Sequence, residues 1–250
     1  MRPVKRGAVP TDSTGAPKTV ADYKDWRLDL LIRLDGFCCY CDIPNDCPQV
    51  EHIAPKDSPL ATPWRLLAWD NMLLSYASCN QIKGATECDV STHFLPHYHN
   101  TQLAFSHRVV RHPKNKARFA CIVIPAPTLA GNALAKAQAT IRLCGLDKTH
   151  HTNRQFRRAT DPRWHKRFDA LLLAHRYYSK WKSLSPNLYS EFLDCLNDLI
   201  YYTGFFSIWF EVFSTEPRVL AMLTNAFKGT EHSCFSLPSY TLTVRVVGDL

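Results

Sequence analysis

Apolar residues recur at helical spacing over much of the chain. In the segment Thr19–Asp35, the residues Trp26, Leu30 and Leu34 stand at every fourth position, and Gly36 follows them. This spacing predicts an amphipathic helix that ends at the glycine. Three segments in the C-terminal half have the same helical pattern; they are "RWHKRFDALLLAHRYYSKWKSL", "NLYSEFLDCLNDLIYYTGFFSIWFEVF" and "EPRVLAMLTNAFKGT".

Shorter apolar segments predict strands between these helices. The stretch "FACIVIPAP" is β-branched and closed by prolines, and Gln49–Ile53 reads as a brief strand before a proline-containing loop. After that loop, "WDNMLLSYASCNQIKGA" gives a short apolar segment and then a helix that carries Cys79 and Lys83. The segment "LAGNALAKAQATIRLCGLD" predicts a helix ended by Gly145. We therefore expect an α+β fold, mainly α, in which a compact strand–loop–helix unit is embedded in a helical protein.

Two segments indicate the cellular compartment in which the protein is expected. Residues 1–20 are charged and rich in proline and glycine, without the apolar run of a signal peptide, and they predict an irregular arm. The most apolar window, Leu199–Phe213, is too short to span a bilayer and contains Glu211. It predicts a helix that is buried or faces a partner. We expect a cytoplasmic protein with no membrane segment.

The composition is that of a folded globular protein. The chain has 250 residues, 46% of them hydrophobic and 21% charged, which argues against disorder. Lysine and arginine exceed aspartate and glutamate by 30 to 22, a net charge of +8. This moderate excess favours a polyanionic partner such as nucleic acid.

The cysteines favour metal binding over disulfides. Because no export signal is visible, the Cys-x-x-Cys pair formed by Cys38 and Cys41 is better suited to a metal ion than to a disulfide. The spacing of Cys144, Cys195 and Cys234 indicates no role for any of the three.

Three pieces of sequence line up around the predicted strand–loop–helix unit. They are the Cys38/Cys41 pair, "VEHIAPK" and "WDNMLLSYASCNQIKG". In this order and spacing they resemble the HNH endonucleases, whose ββα-metal site is built by two strands, a loop and a helix. The resemblance covers residues 36–84, and a weaker likeness continues through "ATIRLCGLD" and "GFFSIWFEVF".

Phosphodiester hydrolysis requires a nucleophilic water, a base that deprotonates it and a cation that stabilises the developing charge. A neutral His52 is suited to accept the proton, because histidine titrates close to neutral pH. Side chains alternate along a strand, so adjacent Glu51 and His52 should point to opposite faces. We expect the turn after Ile53 to relieve this conflict and bring both to one site.

The resemblance implies further roles. In the family, the residue before the histidine often binds a divalent metal together with a residue on the helix; here these are Glu51 and Asn80, oxygen ligands suited to Mg²⁺ or Mn²⁺. Asn71 matches the loop asparagine that fixes the loop and orients the histidine. Separately, Lys83 lies three residues after Asn80 on the predicted helix, and Lys56 follows the turn; both are candidates for phosphate contact.

A structural zinc site is the point at which the chain departs from the family pattern. The family has a second Cys-x-x-Cys before the helix asparagine, whereas here the segment is "YASC", with Tyr76 in the place of the first cysteine. Three thiols match the pattern, namely Cys38, Cys41 and Cys79, and structural zinc needs four ligands. The open alternatives for the fourth ligand are Cys39, Cys47, Cys88 and His93; the other alternative is a site without metal.

Two basic segments extend the candidate nucleic-acid surface. Ser106–Arg118 and Arg154–Arg167 carry many cations and, between them, Asp161 as the single acid. Such runs are either solvated faces or binding surfaces. Beside a nuclease motif we take them as candidate contacts to nucleic acid; the candidates are Arg108, Arg111, Lys114, Arg157 and Arg158.

The preferred functional prediction is a metal-dependent HNH endonuclease that hydrolyses phosphodiester bonds in nucleic acid, with DNA favoured and RNA as the open alternative. The resemblance also implies an effector of a bacterial anti-phage defence system of the Septu or retron-linked type, with an SMC/ABC-type ATPase as partner. The rival prediction is a non-catalytic zinc-knuckle module that binds nucleic acid or protein. The expected divisions are an N-terminal arm and helix (1–35), the HNH core (36–90), a basic region that completes the nuclease domain (91–165) and a helical region for partner docking (166–250).

Overall fold

The computed structural model describes residues 1–112, 115–149, 161–245 and 250, with the side chains of 115–117 excepted. The fold is α+β and mainly α, as predicted, with three small antiparallel sheets among the described residues. The helices are α1 (Arg27–Leu34), α2 (Pro63–Leu67), α3 (Ala77–Lys83), α4 (Thr101–Ala104), α5 (Gly131–Cys144), α6 (Arg163–Lys182), α7 (Tyr189–Thr203), α8 (Phe206–Val212) and α9 (Pro217–Ala226). The strands are β1 (Gln49–His52), β2 (Met72–Ser75), β3 (Phe105–His112), β4 (Asn115–Pro125), β5 (Phe235–Ser236) and β6 (Thr241–Leu242).

The strand–loop–helix unit forms as the sequence predicts. Strands β1 and β2 pair antiparallel, with Gln49 opposite Ser75 and His52 opposite Met72, and α3 follows β2 after Tyr76. A tight turn at residues 38–43 precedes them and is fixed to β2 by a hydrogen bond from the Cys39 amide to the Leu74 carbonyl. The unit therefore consists of two strands and a helix with a cysteine-containing turn on one side.

The rest of the chain packs around this unit. Strands β3 and β4 form a long hairpin, α6 lies against β4, and α5 packs against both β4 and α3. One cluster of buried apolar side chains extends from Met1 to Phe235 and includes residues of the ββα unit, the hairpin and the C-terminal helices. The unit is thus joined to the other elements by a continuous core.

The N-terminal segment is irregular, as predicted, but its first residues are not an exposed arm. Met1, Arg2 and Val4 are buried, and Val4 bridges to Thr230. The Arg2 guanidinium donates hydrogen bonds to the carbonyls of Leu34 and Phe227. The prolines prevent a regular element, but the backbone of these first residues and the Arg2 side chain form hydrogen bonds inside the protein.

The aromatic window near the C-terminal end divides into two helices. Helix α7 ends before Gly204, whose φ is +68°, and α8 begins at Phe206. A Cβ on Gly204 would lie 2.8 Å from the Asp42 carbonyl oxygen, so the cysteine-containing turn needs glycine at this contact. Phe206, Trp209 and Phe210 are buried in the core. None of the described helices combines the length and apolarity needed to cross a membrane.

Candidate metal centre and nuclease site

Glu51 and His52 contact different neighbours at the end of β1. Gln49 and Glu51 point toward α3, where they contact Asn80 and Lys83. His52 instead packs against Tyr23 on the other side. The alternation of the strand is therefore kept, and the expected relief at the turn after Ile53 is not observed in the side-chain contacts.

Glu51 is a buried, fully partnered carboxylate. It is 2% exposed; its Oε1 lies 2.7 Å from the Lys83 ammonium, and its Oε2 accepts a hydrogen bond of 2.6 Å from the Tyr40 hydroxyl. Burial raises the pKa of Glu51, an effect that Lys83 and Tyr40 oppose. Both carboxylate oxygens are thus engaged inside the protein.

His52 lies at the end of β1 under a cover of other residues. Its Nε2 is 3.0 Å from the Leu66 carbonyl oxygen, and its ring is 4.5 Å from that of Tyr23. Burial lowers the pKa of His52, and the charges of Lys56 and Lys83 lower it further, although the Leu66 contact opposes them. The imidazole is therefore neutral at physiological pH, as a proton acceptor must be.

Asn71 spans the loop that connects β1 to β2. Its Oδ1 accepts from the Ala54 amide at 2.7 Å, and its Nδ2 donates to the carbonyls of Ala54 (2.9 Å) and Arg65 (2.8 Å). The residue after Arg65 is Leu66, whose carbonyl meets His52. Asn71 consequently holds both ends of the loop that covers the histidine.

Asn80 and Lys83 lie on the face of α3 that packs on β1. The Asn80 amide donates to the Gln49 side chain at 2.9 Å. Lys83 is 2% exposed, and its ammonium donates to the His52 carbonyl at 2.7 Å in addition to its ion pair with Glu51. The expectation that Lys83 contacts phosphate is therefore not met in this structure, because its charge is used to neutralise a buried acid.

These contacts do not fit a Mg²⁺ or Mn²⁺ site formed by Glu51 and Asn80. Such ions require accessible oxygen ligands and usually retain several waters. Both oxygens of Glu51 are engaged by Lys83 and Tyr40, whereas Asn80 bonds to Gln49 through its Nδ2 and not through its oxygen. Glu51 therefore presents no free oxygen to an ion in this arrangement, and the oxygen of Asn80 alone does not form a site.

The three predicted cysteines do come together. The sulfur atoms of Cys38, Cys41 and Cys79 all lie within 4.8 Å of one another, and all three residues are buried. The Tyr76 amide donates to the Cys38 sulfur. A buried group of three thiols can hold a metal ion, and thiolate ligands suit zinc.

The four alternatives for the fourth ligand lie elsewhere. Cys88 donates to the Ile53 carbonyl at 3.1 Å, and the His93 ring contacts Thr92. Cys47 is exposed, and Cys39 is buried near the charges of Arg2 and Asp42. None of the four belongs to the sulfur cluster.

Two residues that the sequence did not single out reach the cluster. The Cys144 thiol, at the end of α5, is hydrogen-bonded to Cys79. The buried Arg163 donates from Nη1 to the Cys79 sulfur at 3.0 Å and to the Cys144 carbonyl at 2.8 Å, while Asp161 pairs with its guanidinium at 2.7 Å. Both come from segments distant in the chain, so no local spacing could reveal them.

The pKa values of the four thiols are shifted in different directions. Burial alone would raise the pKa of Cys79, but hydrogen bonds from Cys144, Cys38 and Cys41 and the charge of Arg163 hold it well below its ordinary value. Burial raises the pKa of Cys38, Cys41 and Cys144 well above theirs. The hydrogen bonds within the cluster and the charge of Arg163 therefore favour loss of a proton from Cys79 over loss from the other three sulfurs.

The candidate nucleic-acid contacts are only partly described. Arg108 and Arg111 are exposed on β3, and Lys56 is partly exposed beside the Tyr23 ring. Lys114, Arg157 and Arg158 lie outside the described residues. Arg108 lines a groove of about 470 Å³ between the hairpin and α5, together with Arg142, Asp147 and Lys148. Three cations and one acid give this groove a basic character.

Comparisons with protein-family models, with curated proteins and with solved structures found no match to this chain.

Proposed function

We propose that the chain is an HNH-type endonuclease that hydrolyses phosphodiester bonds of nucleic acid, with DNA favoured over RNA. The observation that carries this proposal is the β1–β2–α3 arrangement, in which His52 ends β1 and Asn71 fixes the loop over it. This arrangement is what the resemblance of residues 36–84 implies.

In this proposal His52 is the general base. Its lowered pKa leaves the ring neutral, so it can accept a proton from a water that attacks phosphorus. Leu66 and Tyr23 cover the ring, so binding of a substrate requires that the turn at residues 23–26 or the loop before β2 move away. Asn71 limits the motion of that loop and thereby orients the histidine.

The family resemblance also implies a divalent ion, which when bound would stabilise negative charge on the phosphate. Because Glu51 is paired with Lys83 and Tyr40, we assign no step to an ion held by Glu51. The cysteine cluster is separate from this chemistry and has a structural role in the proposal.

The basic groove supports nucleic acid as the substrate. Arg108, Arg142 and Lys148 line the groove between β3, β4 and α5, and although Lys148 is paired with Asp147, the two arginines remain to attract phosphates. No sequence-reading element is implied by these contacts, since phosphate contacts position a nucleic acid without specifying its bases.

The anti-phage role and the SMC/ABC-type ATPase partner are predictions that rest on the resemblance alone. Co-purification of the full chain with the products of its neighbouring genes is the direct check. An ATPase that co-purifies stoichiometrically supports this prediction, and a chain recovered as a monodisperse monomer contradicts it.

A non-catalytic metal-binding module is the second candidate. It is favoured by the burial of Glu51 and Lys83 and by the 7% exposure of His52. With these side chains buried, the ββα unit would keep its fold while a substrate could not reach the residues that would catalyse hydrolysis. Such a module would use the basic groove for binding alone.

One experiment separates the two candidates. Linear and circular DNA and single-stranded RNA are incubated with the full chain, and with any co-purified complex, in Mg²⁺ or Mn²⁺ and then with chelator. The variants are His52→Ala and, as a matched control, His175→Ala, because His175 is an exposed histidine on α6 outside the basic segments. Cleavage lost in chelator and in His52→Ala, but kept in His175→Ala, supports the nuclease. Binding without cleavage in every preparation supports the module and overturns the nuclease.

A further inference from the structure

We infer that Cys144 is the fourth ligand of a structural zinc site formed with Cys38, Cys41 and Cys79. This site does not depend on the endonuclease proposal, since a structural ion stabilises the fold whether or not the chain cleaves nucleic acid. The inference combines two parts of the structure, the cysteine-containing turn with α3 and the end of α5.

The first three thiols are close enough together to share one ion. Four sulfurs around zinc at about 2.3 Å are separated from one another by about 3.8 Å. Cys38, Cys41 and Cys79 lie within 4.8 Å of one another, so small side-chain movements bring them onto one ion. Their burial removes water as a competing ligand and leaves one tetrahedral position to fill.

Cys144 is placed to fill that position. It is fully buried, its thiol is hydrogen-bonded to Cys79, and the Arg163 guanidinium contacts both the Cys79 sulfur and the Cys144 carbonyl. It lies outside the group of three mutually close sulfurs, so it must approach Cys38 and Cys41 when an ion binds. Cys144 is the last residue of α5, where a change of side-chain rotamer disturbs no following helical turn.

The end of α5 is held against α3. Gly145 adopts a left-handed conformation, and a Cβ at this residue would lie 3.0 Å from the Ile82 side chain. Glycine therefore allows the close approach that brings Cys144 to Cys79. In the family pattern a cysteine at the position of Tyr76 would provide the missing thiolate, and here a thiol from a separate helix replaces it.

Arg163 provides the outer contact that such a site requires. Ligands of structural metals are commonly oriented by hydrogen bonds from surrounding groups. Arg163 Nη1 donates at once to the Cys79 sulfur (3.0 Å) and to the Cys144 carbonyl (2.8 Å), and Nη2 donates to the Gly145 carbonyl (3.2 Å). A buried guanidinium directed at a sulfur matches thiolate rather than thiol chemistry.

The decisive measurement uses the unmodified full chain. The reduced protein is reconstituted with zinc, its zinc content is measured, and X-ray absorption at the zinc edge counts the ligands. We expect one zinc per chain with four sulfurs at about 2.3 Å. Three sulfurs with one nitrogen or oxygen overturn the inference, and so does a chain that retains no zinc.

Variants identify the fourth sulfur. Cys144→Ser removes the proposed ligand, and Cys88→Ser is the matched control, because serine can still donate to the Ile53 carbonyl. In the cobalt-substituted protein, we expect the sulfur-to-metal absorption of Cys144→Ser to fall by about a quarter and its zinc affinity to fall by at least about tenfold. Unchanged absorption and affinity in Cys144→Ser overturn the inference. If this variant fails to fold, the ligand count of the unmodified chain still decides.

Discussion

Replacement of Asn71 by alanine should destabilise the protein by more than the loss of one hydrogen bond, because this side chain makes three. The change removes one hydrogen bond to the Ala54 amide and two to the carbonyls of Ala54 and Arg65. A buried hydrogen bond contributes about 1 kcal/mol net, and a buried group left without a partner costs about 1–3 kcal/mol. Since Asn71 is 2% exposed, water cannot easily replace the lost contacts. We expect a loss of about 3 kcal/mol in the free energy of unfolding.

Urea denaturation followed by tryptophan fluorescence measures this loss, and unchanged transition slopes are the condition for comparing midpoints. Asn45→Ala is a matched control, since the Asn45 side chain makes two long hydrogen bonds of 3.3 Å, one to the Ser75 carbonyl and an exposed one from the Cys47 amide. It should cost less than about 1 kcal/mol. Asn71→Asp keeps the acceptor but replaces both donors by a carboxylate oxygen that faces two carbonyls, so it should cost at least as much as Asn71→Ala. A free energy of unfolding for Asn71→Ala within about 0.5 kcal/mol of wild type would show that these three hydrogen bonds do not stabilise the loop.

The same substitution has a functional consequence under the endonuclease proposal. Asn71 fixes the loop whose Leu66 carbonyl contacts His52. Loss of the Asn71 side chain should therefore reduce cleavage even at temperatures at which the variant is folded. Full cleavage activity in a folded Asn71→Ala protein would show that the loop does not orient the histidine.

Three other predictions concern the interior. Lys83→Met should lower the free energy of unfolding by about 3–5 kcal/mol, because it leaves Glu51 without its ion-pair partner. Adding Glu51→Gln to Lys83→Met should recover much of this loss. Equal losses in the single and double variants, measured by urea denaturation, would show that the ion pair does not stabilise the protein. His97, whose pKa is lowered to about 3 by burial and nearby cations, stays neutral when folded. Acidification from about pH 7.5 to 5.5 should therefore destabilise wild type by about 1 kcal/mol more than His97→Gln, because only the unfolded histidine takes up a proton as the pH falls through about 6.5. Equal pH dependence of the two proteins would count against this. Chelator should lower the unfolding temperature of the zinc-loaded wild type but not that of Cys38→Ser, measured calorimetrically; an equal effect on both would place the metal elsewhere.

Local patterns predicted most elements well. The helix ending at Gly145, the strand at Gln49–His52 and the helix that carries Cys79 all form within a few residues of the expected bounds. Each has its own signal in the sequence, either a period of apolar residues or a glycine at a boundary. The helix expected over Thr19–Asp35 is shorter, because Asp22 caps a 3₁₀ turn at Tyr23–Trp26 and α1 begins only at Arg27.

The site was predicted less completely, because its partners come from distant segments. Nothing near Glu51 in the sequence indicates that Tyr40 and Lys83 will enclose its carboxylate. The sequence alone does not distinguish a lysine that binds phosphate from a lysine that neutralises a buried acid. Burial, which follows from the whole fold, distinguishes them.

Cys144 and Arg163 illustrate the same limit. Spacing identifies ligands when they lie on one turn or one helix, as Cys38 and Cys41 do. Cys144 reaches the cluster only because α5 packs on α3, and Arg163 only because α6 begins beside the end of α5. The signal that could have indicated Cys144 is the glycine after it, which permits close packing at the end of the helix.

The proposal that His52 acts as a general base is tested most directly by the rate of DNA cleavage as a function of pH, for wild type and for His52→Ala, in Mg²⁺ or Mn²⁺. We expect wild-type cleavage to be constant above about pH 6.5 and to fall at lower pH with a midpoint below that of free histidine, because burial lowers the pKa of His52. We expect no metal-dependent cleavage by His52→Ala at any pH. Equal rates in the two proteins, or no cleavage by wild type at any pH, would contradict the proposal.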